Sequence, residues 1–226
     1  MKGAEISGEE LEGVLKGLLS KNVVDALILP QRIGNSVAYT LVKDENRIKS
    51  PALFAPAFTV NVANNLKKWL IKDKKLGVVA KPCEIRAAIE LIKLEQINRD
   101  SVLLICTDCY GCFKSEDYTD HIDEIGEKLD EGKLKELEGK GISIREACLL
   151  CENRLAEMGD VIISPNHEKI GITGITEKGV EALSSIEELS LADKTVDRSK
   201  EKEAVLAEVK KKKEEIPPIG SIEALE

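Results

Sequence analysis

Between Leu76 and Cys106 the sequence carries a short apolar run (LGVVA, 76–80), a segment of helical periodicity (EIRAAIELIKL, 84–94) and a second apolar run (SVLLIC, 101–106). Two strands of buried type joined by an amphipathic helix predict a βαβ crossover with parallel strands. This unit commits the chain to an α/β fold with a mixed or mostly parallel sheet and flanking helices. Open sheets of that kind bind ligands at the carboxyl ends of their strands. Here those ends carry Lys81-Pro82-Cys83 and the run Cys106-Thr107-Asp108-Cys109-Tyr110-Gly111-Cys112.

The remaining segments fit around this unit. Residues 5–20 read as an amphipathic helix, with Ser7 and Glu10 spaced as a capping box. Residues 23–30 and 37–42 are strand candidates joined by a turn at Gly34-Asn35. Residues 59–72 look helical, with Trp69 expected in the core. Residues 117–141 are charged and helical and are expected to form a solvated insertion. A further strand is expected at 160–164 and a helix near 177–189. From Lys194 onward the chain reads as one long charged helix ended by Pro217-Pro218. Its few apolar positions (Val196, Val205, Leu206, Val209) suit a mobile or docking tail. The division expected is therefore an α/β domain over residues 1–192 and a charged helical tail over 193–226.

Composition narrows the function classes. A formal net charge of −8 and 3% aromatic residues argue against nucleic acid, which wants clustered positive charge and stacking surfaces. No stretch is long and apolar enough to span a membrane. Met1 to Ser20 is acidic and has no cationic start followed by an apolar run, so a cytoplasmic location is expected.

In a reducing compartment the 6 cysteines point to metal ligation or redox chemistry rather than disulfides. They fall as Cys83 alone, then Cys106, Cys109 and Cys112 at x-x spacing, then Cys148 and Cys151 at the same spacing. A single buried cysteine is ordinarily a small apolar core residue, but this grouping is not what chance produces. Four thiolates from two CxxC pairs would bind zinc tetrahedrally. Four thiolates are also the ligand set of an iron–sulfur cluster. Six cysteines exceed one zinc site, and their place at strand ends of an α/β sheet favours iron. Dithiol exchange at Cys148 and Cys151 lacks a thioredoxin-like flanking pattern.

The segments Lys81-Pro82-Cys83-Glu84-Ile85-Arg86-Ala87, Leu103-Leu104-Ile105 leading to Asp108-Cys109-Tyr110-Gly111, and Arg145-Glu146-Ala147-Cys148-Leu149-Leu150-Cys151 followed by Gly159-Asp160 occur in this order. Together they resemble the beta-subunit family of deazaflavin-reducing hydrogenases and formate dehydrogenases, over residues 20–190. Members of that family are cytoplasmic electron-transfer subunits that carry a 4Fe-4S cluster and usually FAD, and work in complexes with a catalytic subunit. The resemblance implies Cys83, Cys109, Cys148 and Cys151 as cluster ligands. Cys106 and Cys112 depart from the family pattern; they stand as alternatives to Cys109 or as ligands of a second cluster.

The resemblance also implies a flavin beside the cluster, near residues 59–65 and the turn at Lys81–Arg86. There Asn64 and Asn65 would meet the ring edge, Lys81 the ring or a phosphate, and Arg86 a pyrophosphate. No GxGxxG follows a strand, so a Rossmann-type site has no support. His121 and His167 lie in polar stretches away from the cysteines and read as surface residues. The expectation is an iron–sulfur electron-transfer subunit of a hydrogenase, formate dehydrogenase or heterodisulfide-reductase-type complex, partnered by subunits that carry other clusters or the catalytic site. A zinc-stabilised interaction module and a reductase that turns over alone are the rival expectations.

Overall fold

A computed structural model describes residues 1–57, 60–70, 73–126, 129, 131–166 and 169–215. In chain order the elements are β1 (Lys2–Ile6), α1 (Gly8–Ser20), β2 (Ala26–Ile33), β3 (Ser36–Val42), α2 (Ala63–Trp69), β4 (Leu76–Ala80), α3 (Pro82–Lys93) and β5 (Val102–Thr107). They are followed by α4 (Ser115–Asp120), α5 (Ile122–Ile125), α6 (Glu131–Gly139), α7 (Glu146–Leu149), β6 (Val161–Asn166), β7 (Lys169–Gly174), α8 (Glu177–Ser184), β8 (Ala192–Asp193) and α9 (Ser199–Glu215).

Among the described residues the strands form an 8-stranded sheet in the order β3-β2-β4-β5-β6-β7-β1-β8. Its centre, β2-β4-β5-β6, is parallel, and antiparallel strands extend it on both sides. The βαβ unit expected from sequence is β4, α3 and β5, paired with Val78 opposite Leu104 and Ala80 opposite Cys106.

Alternation along the strands divides the core into two layers. Leu27, Leu29, Val79, Leu103, Ile105, Val161 and Ile163 face α1 and α8, where Leu11, Val14, Leu15, Leu18 and Leu183 are buried. Ala26, Ile28, Val78, Leu104, Cys106 and Ile162 face α2 and α3, with Leu66, Ile85 and Ala88. Both faces are covered, so the central strands are apolar throughout, as a parallel sheet requires. Helix α1 starts at the expected capping box, with the Glu10 N–H donating to Ser7 Oγ at 3.2 Å and the Ser7 N–H to Glu10 Oε2 at 2.7 Å.

A third apolar cluster lies beyond the carboxyl edge of the sheet. Val37, Phe113, Tyr118, Ile122, Ile125, Leu129, Leu137, Ile142 and Ile144 are buried together there. The stretch expected to be a solvated insertion thus has its own core. Its helical reading holds as short helices, α4, α5 and α6, with Gly126 at φ +71° ending α5.

At the opposite edge, Asp160 is fully buried ahead of β6. Its carboxylate accepts from the Leu104 N–H at 2.9 Å, the Thr176 hydroxyl at 2.7 Å and the Arg99 guanidinium. A Cβ at Gly179 would lie 1.9 Å from the Asp160 carbonyl oxygen, so glycine lets α8 touch this turn backbone to backbone.

Candidate metal centre

Three separate stretches bring sulfur to the carboxyl edge. The first is the start of α3. Pro82 takes the first helical position, where its missing N–H costs nothing. Glu84, fully buried, turns back to accept from the Lys81 N–H at 3.1 Å and the Val62 N–H at 2.9 Å, and also from the Tyr39 hydroxyl. This fixes the first turn of α3 and with it Cys83. Burial raises the Glu84 carboxyl above its ordinary range, against the hydrogen bond from Tyr39 and the backbone N–H groups of Val62 and Lys81.

The second stretch follows β5. The Asp108 carboxylate accepts from the Ala156 N–H at 2.8 Å, and the Cys109 N–H donates to the Arg154 carbonyl at 2.8 Å. The turn closes at Gly111, whose φ is +95° and where a Cβ would meet Ile144 Cδ1 at 2.8 Å. Only glycine fits this close approach. Its N–H donates to Cys109 Sγ at 3.4 Å. The third stretch is α7 and the turn after it. The Arg145 N–H donates to the Cys112 carbonyl at 2.8 Å, tying this stretch to the second, and the Cys148 N–H donates to the Arg145 carbonyl at 2.8 Å.

Cys83, Cys109, Cys148 and Cys151 line one cavity of about 210 Å³, together with Pro82, Gly111, Arg145, Ala147, Asn153 and Arg154. Cys106 and Cys112 are fully buried and do not line it. Cys106 sits in the core layer shared with Ile85 and Ala88; burial pushes its thiol up, while a hydrogen bond from the Met158 backbone opposes. Cys112 stands between Cys109 and Cys148, within hydrogen-bond reach of both sulfurs.

These contacts set the charge on the cavity thiols. The hydrogen bond from Cys112 is the largest influence holding Cys109 down to about 6, and the Lys81 ammonium and the Gly111 N–H add to it against burial. Cys112 is likewise the largest influence lowering Cys148, to about 7, though its single S–H proton serves one of the two sulfurs at a time. Burial and the neighbouring Glu84 carboxylate push Cys83 up. Thiolates are the metal-binding form of cysteine, so the cavity combines an apolar wall with sulfur already inclined to ionise.

Of the residues expected to contact a flavin, none lines this cavity. Lys81 is buried, with its Nζ donating to the Leu53 carbonyl at 2.5 Å. Arg86 and Asn64 are exposed and Asn65 is half-buried. Both asparagines stand on α2, which packs against α3. His121 lies on the surface beside Glu124, and His167 lies outside the described residues.

The charged residues around the cavity were not legible in the sequence. The Asp108 carboxylate is paired with Arg198, whose Nη1 and Nη2 donate at 2.7 and 2.8 Å. Arg154, in the cavity wall, reaches Glu208 of α9 at 3.0 and 3.1 Å. Their partners are distant in the chain, and no local spacing marks them. The Cys-flanking position of Asp108 and the x-x-Arg after Cys151 were the only available signals.

Among known proteins, 187 residues are 29% identical to the F420-dependent formate dehydrogenase subunit beta of Methanocaldococcus jannaschii, covering 71% of this chain and 48% of that protein. A second relative is the F420-dependent formate dehydrogenase 1 subunit beta of Methanococcus maripaludis, 24% identical over 213 residues, covering 80% of this chain and 54% of that one. The chain is thus similar to beta subunits of F420-dependent formate dehydrogenases. It spans about half the length of the curated relatives it matches. Its fold is also that of a chain in the F420-reducing [NiFe] hydrogenase complex from Methanosarcina barkeri, with a TM-score of 0.71 at 12% identity over 95% of this chain and 90% of that one. No family model matches the sequence.

Proposed function

We propose that this chain is an iron–sulfur electron-transfer subunit of a deazaflavin-linked redox complex, with Cys83, Cys109, Cys148 and Cys151 as the ligands of one 4Fe-4S cluster. The observation that carries the reading is that four thiols from three stretches line one cavity at the carboxyl edge of a parallel sheet. Among the described residues no group of three His, Cys, Asp or Glu side chains is arranged to hold a metal ion. Thiols spread around a cavity suit a polynuclear group better than a lone zinc, whose four ligands must meet at one point.

When bound, the cluster supplies one-electron transfer and a neighbouring FAD would exchange one- and two-electron steps. The protein's own part is to hold and insulate. Pro82 and Ala147 supply apolar wall, Gly111 admits close backbone approach, and Lys81 supplies a buried positive charge near Cys109. Cys112 would hold Cys109 and Cys148 in place by hydrogen bonding. Cys106 is assigned to the core. For the flavin, the family resemblance favours Asn64, Asn65, Lys81 and Arg86, and the packing of α2 on α3 keeps these on neighbouring elements.

Partners would be subunits that carry further clusters or the catalytic site, reached across the carboxyl edge. No helix among the described residues is long and apolar enough to cross a membrane. The test is iron, sulfide, zinc and flavin content, with a visible spectrum, of protein purified without oxygen. The reading expects about four irons and four sulfides per chain. One zinc with no iron would overturn it, and a cluster without flavin would remove the FAD.

A further inference from the structure

We propose that Arg154 donates a hydrogen bond to a sulfur of the group held in the cysteine cavity, and that Glu208 of α9 sets how much of its charge is felt there. The inference rests on the cluster reading above and assigns a potential-tuning residue that the cysteine motifs do not contain.

Arg154 is 8% exposed and forms part of the cavity wall. Its Nη1 donates to both Glu208 oxygens and its Nη2 to the Leu149 carbonyl at 3.0 Å. Its Nε is buried and has no hydrogen-bond partner among the described residues. Leaving a buried donor without a partner is costly, and native proteins seldom keep one. Here the orphan belongs to a side chain lining a cavity ringed by sulfur, where a thiolate or sulfide would complete it. The backbone is held equally firmly, because the Arg154 carbonyl accepts from the Cys109 N–H at 2.8 Å. The cation is therefore fixed relative to one of the proposed ligands.

A cluster on four thiolates is anionic, and reduction adds one more negative charge. A fixed guanidinium with an N–H directed at sulfur stabilises the reduced form more than the oxidised one, which raises the reduction potential. Glu208 opposes this as a counter-charge on the same guanidinium. Because Glu208 belongs to α9, the seating of that helix enters the potential.

The experiment is a dithionite potentiometric titration of the full chain, purified without oxygen, after iron and sulfide determination. Arg154→Met, which keeps the length of the stem, is expected to lower the midpoint potential at unchanged iron content. Glu208→Gln is expected to raise it, and this surface variant decides the matter alone if Arg154→Met does not fold. A parent potential retained in Arg154→Met at full iron, or a Glu208→Gln potential equal to or below the parent's, overturns the proposal. A parent chain without iron overturns the cluster reading, and this proposal with it; the metal analysis separates the two failures.

Discussion

Arg198 grips Asp108 with two parallel hydrogen bonds, Nη1 to Oδ1 at 2.7 Å and Nη2 to Oδ2 at 2.8 Å, across a sequence separation of 90 residues. Both side chains are nearly buried, at 12% and 7% exposure. The pair joins the residue just ahead of α9 to the residue preceding Cys109, so it anchors the last helix to the cysteine turn. Removing one member leaves a buried charge alone. Arg198→Ala is therefore expected to cost about 3 kcal/mol, read as a lower urea midpoint. The other contacts of α9, such as Lys213–Glu152 and Lys202–Glu157, are exposed ion pairs worth a fraction of that each.

The cysteines divide into ligands and supports. Cys83→Ala and Cys148→Ala are expected to lose the cluster, read as iron and sulfide near zero. Cys106→Ala, at a fully buried core position, is expected to keep the iron and lose about 1 kcal/mol of stability. Cys112→Ala is expected to keep the iron as well and, in the metal-free protein, to raise the thiols of Cys109 and Cys148. Full iron in Cys83→Ala would contradict the ligand assignment.

In the metal-free protein the thiol order follows from their surroundings. Cys109, held down to about 6, is mostly thiolate at pH 7, and Cys148, held down to about 7, is about half ionised there. Iodoacetamide followed by mass spectrometry is expected to label Cys148 and Cys109 with rate midpoints near those values. Cys106, buried and pushed up, should stay unlabelled until the protein unfolds.

Asp160 links stability to acid. Burial raises its pKa, but hydrogen bonds from Arg99, Leu104 and Thr176 outweigh that and leave it below the ordinary aspartate value. A depressed folded-state pKa contributes stability that is full above about pH 4, the unfolded value, and is lost as pH falls through the folded one. Urea unfolding from pH 7 to 3 is expected to show this loss in the parent and a smaller one in Asp160→Asn. Equal pH slopes in the two proteins would remove the assignment.

What could be read in advance followed from local pattern. β4, α3 and β5 carry continuous apolar runs and clean helical periodicity, so the sheet centre was visible; spacing grouped the six cysteines, and only the family resemblance singled out the four that line the cavity. β7 was hidden because Gly171 and Gly174 stand in it, and glycine is a poor strand former. The reason lies in tertiary packing: a Cβ at Gly174 would meet the Val180 backbone nitrogen at 2.6 Å. β1 was hidden because it is short and runs straight into the capping box of α1, so Glu5 and Ile6 read as part of the helix, whereas they pair with Gly171 and Ile170. The expected helix over 59–72 spans only Ala63–Trp69 among the described residues, with Trp69 half-buried at the edge of its cluster. Arg154 and Arg198 were silent because long-range ion pairs leave no periodicity.

The cavity wall comes mostly from turns rather than from regular elements. Between Asp108 and Gly111, and again between Leu150 and Asn153, the backbone is held by scattered hydrogen bonds and by a neighbour's good fit. Such segments open at low free energy unless something inside ties them together. A group bonded to four sulfurs would be that tie, so its arrival would finish the folding of this edge. A chain made without iron would then present these turns to proteases, and scarcity of metal would be registered as a shortage of the protein itself.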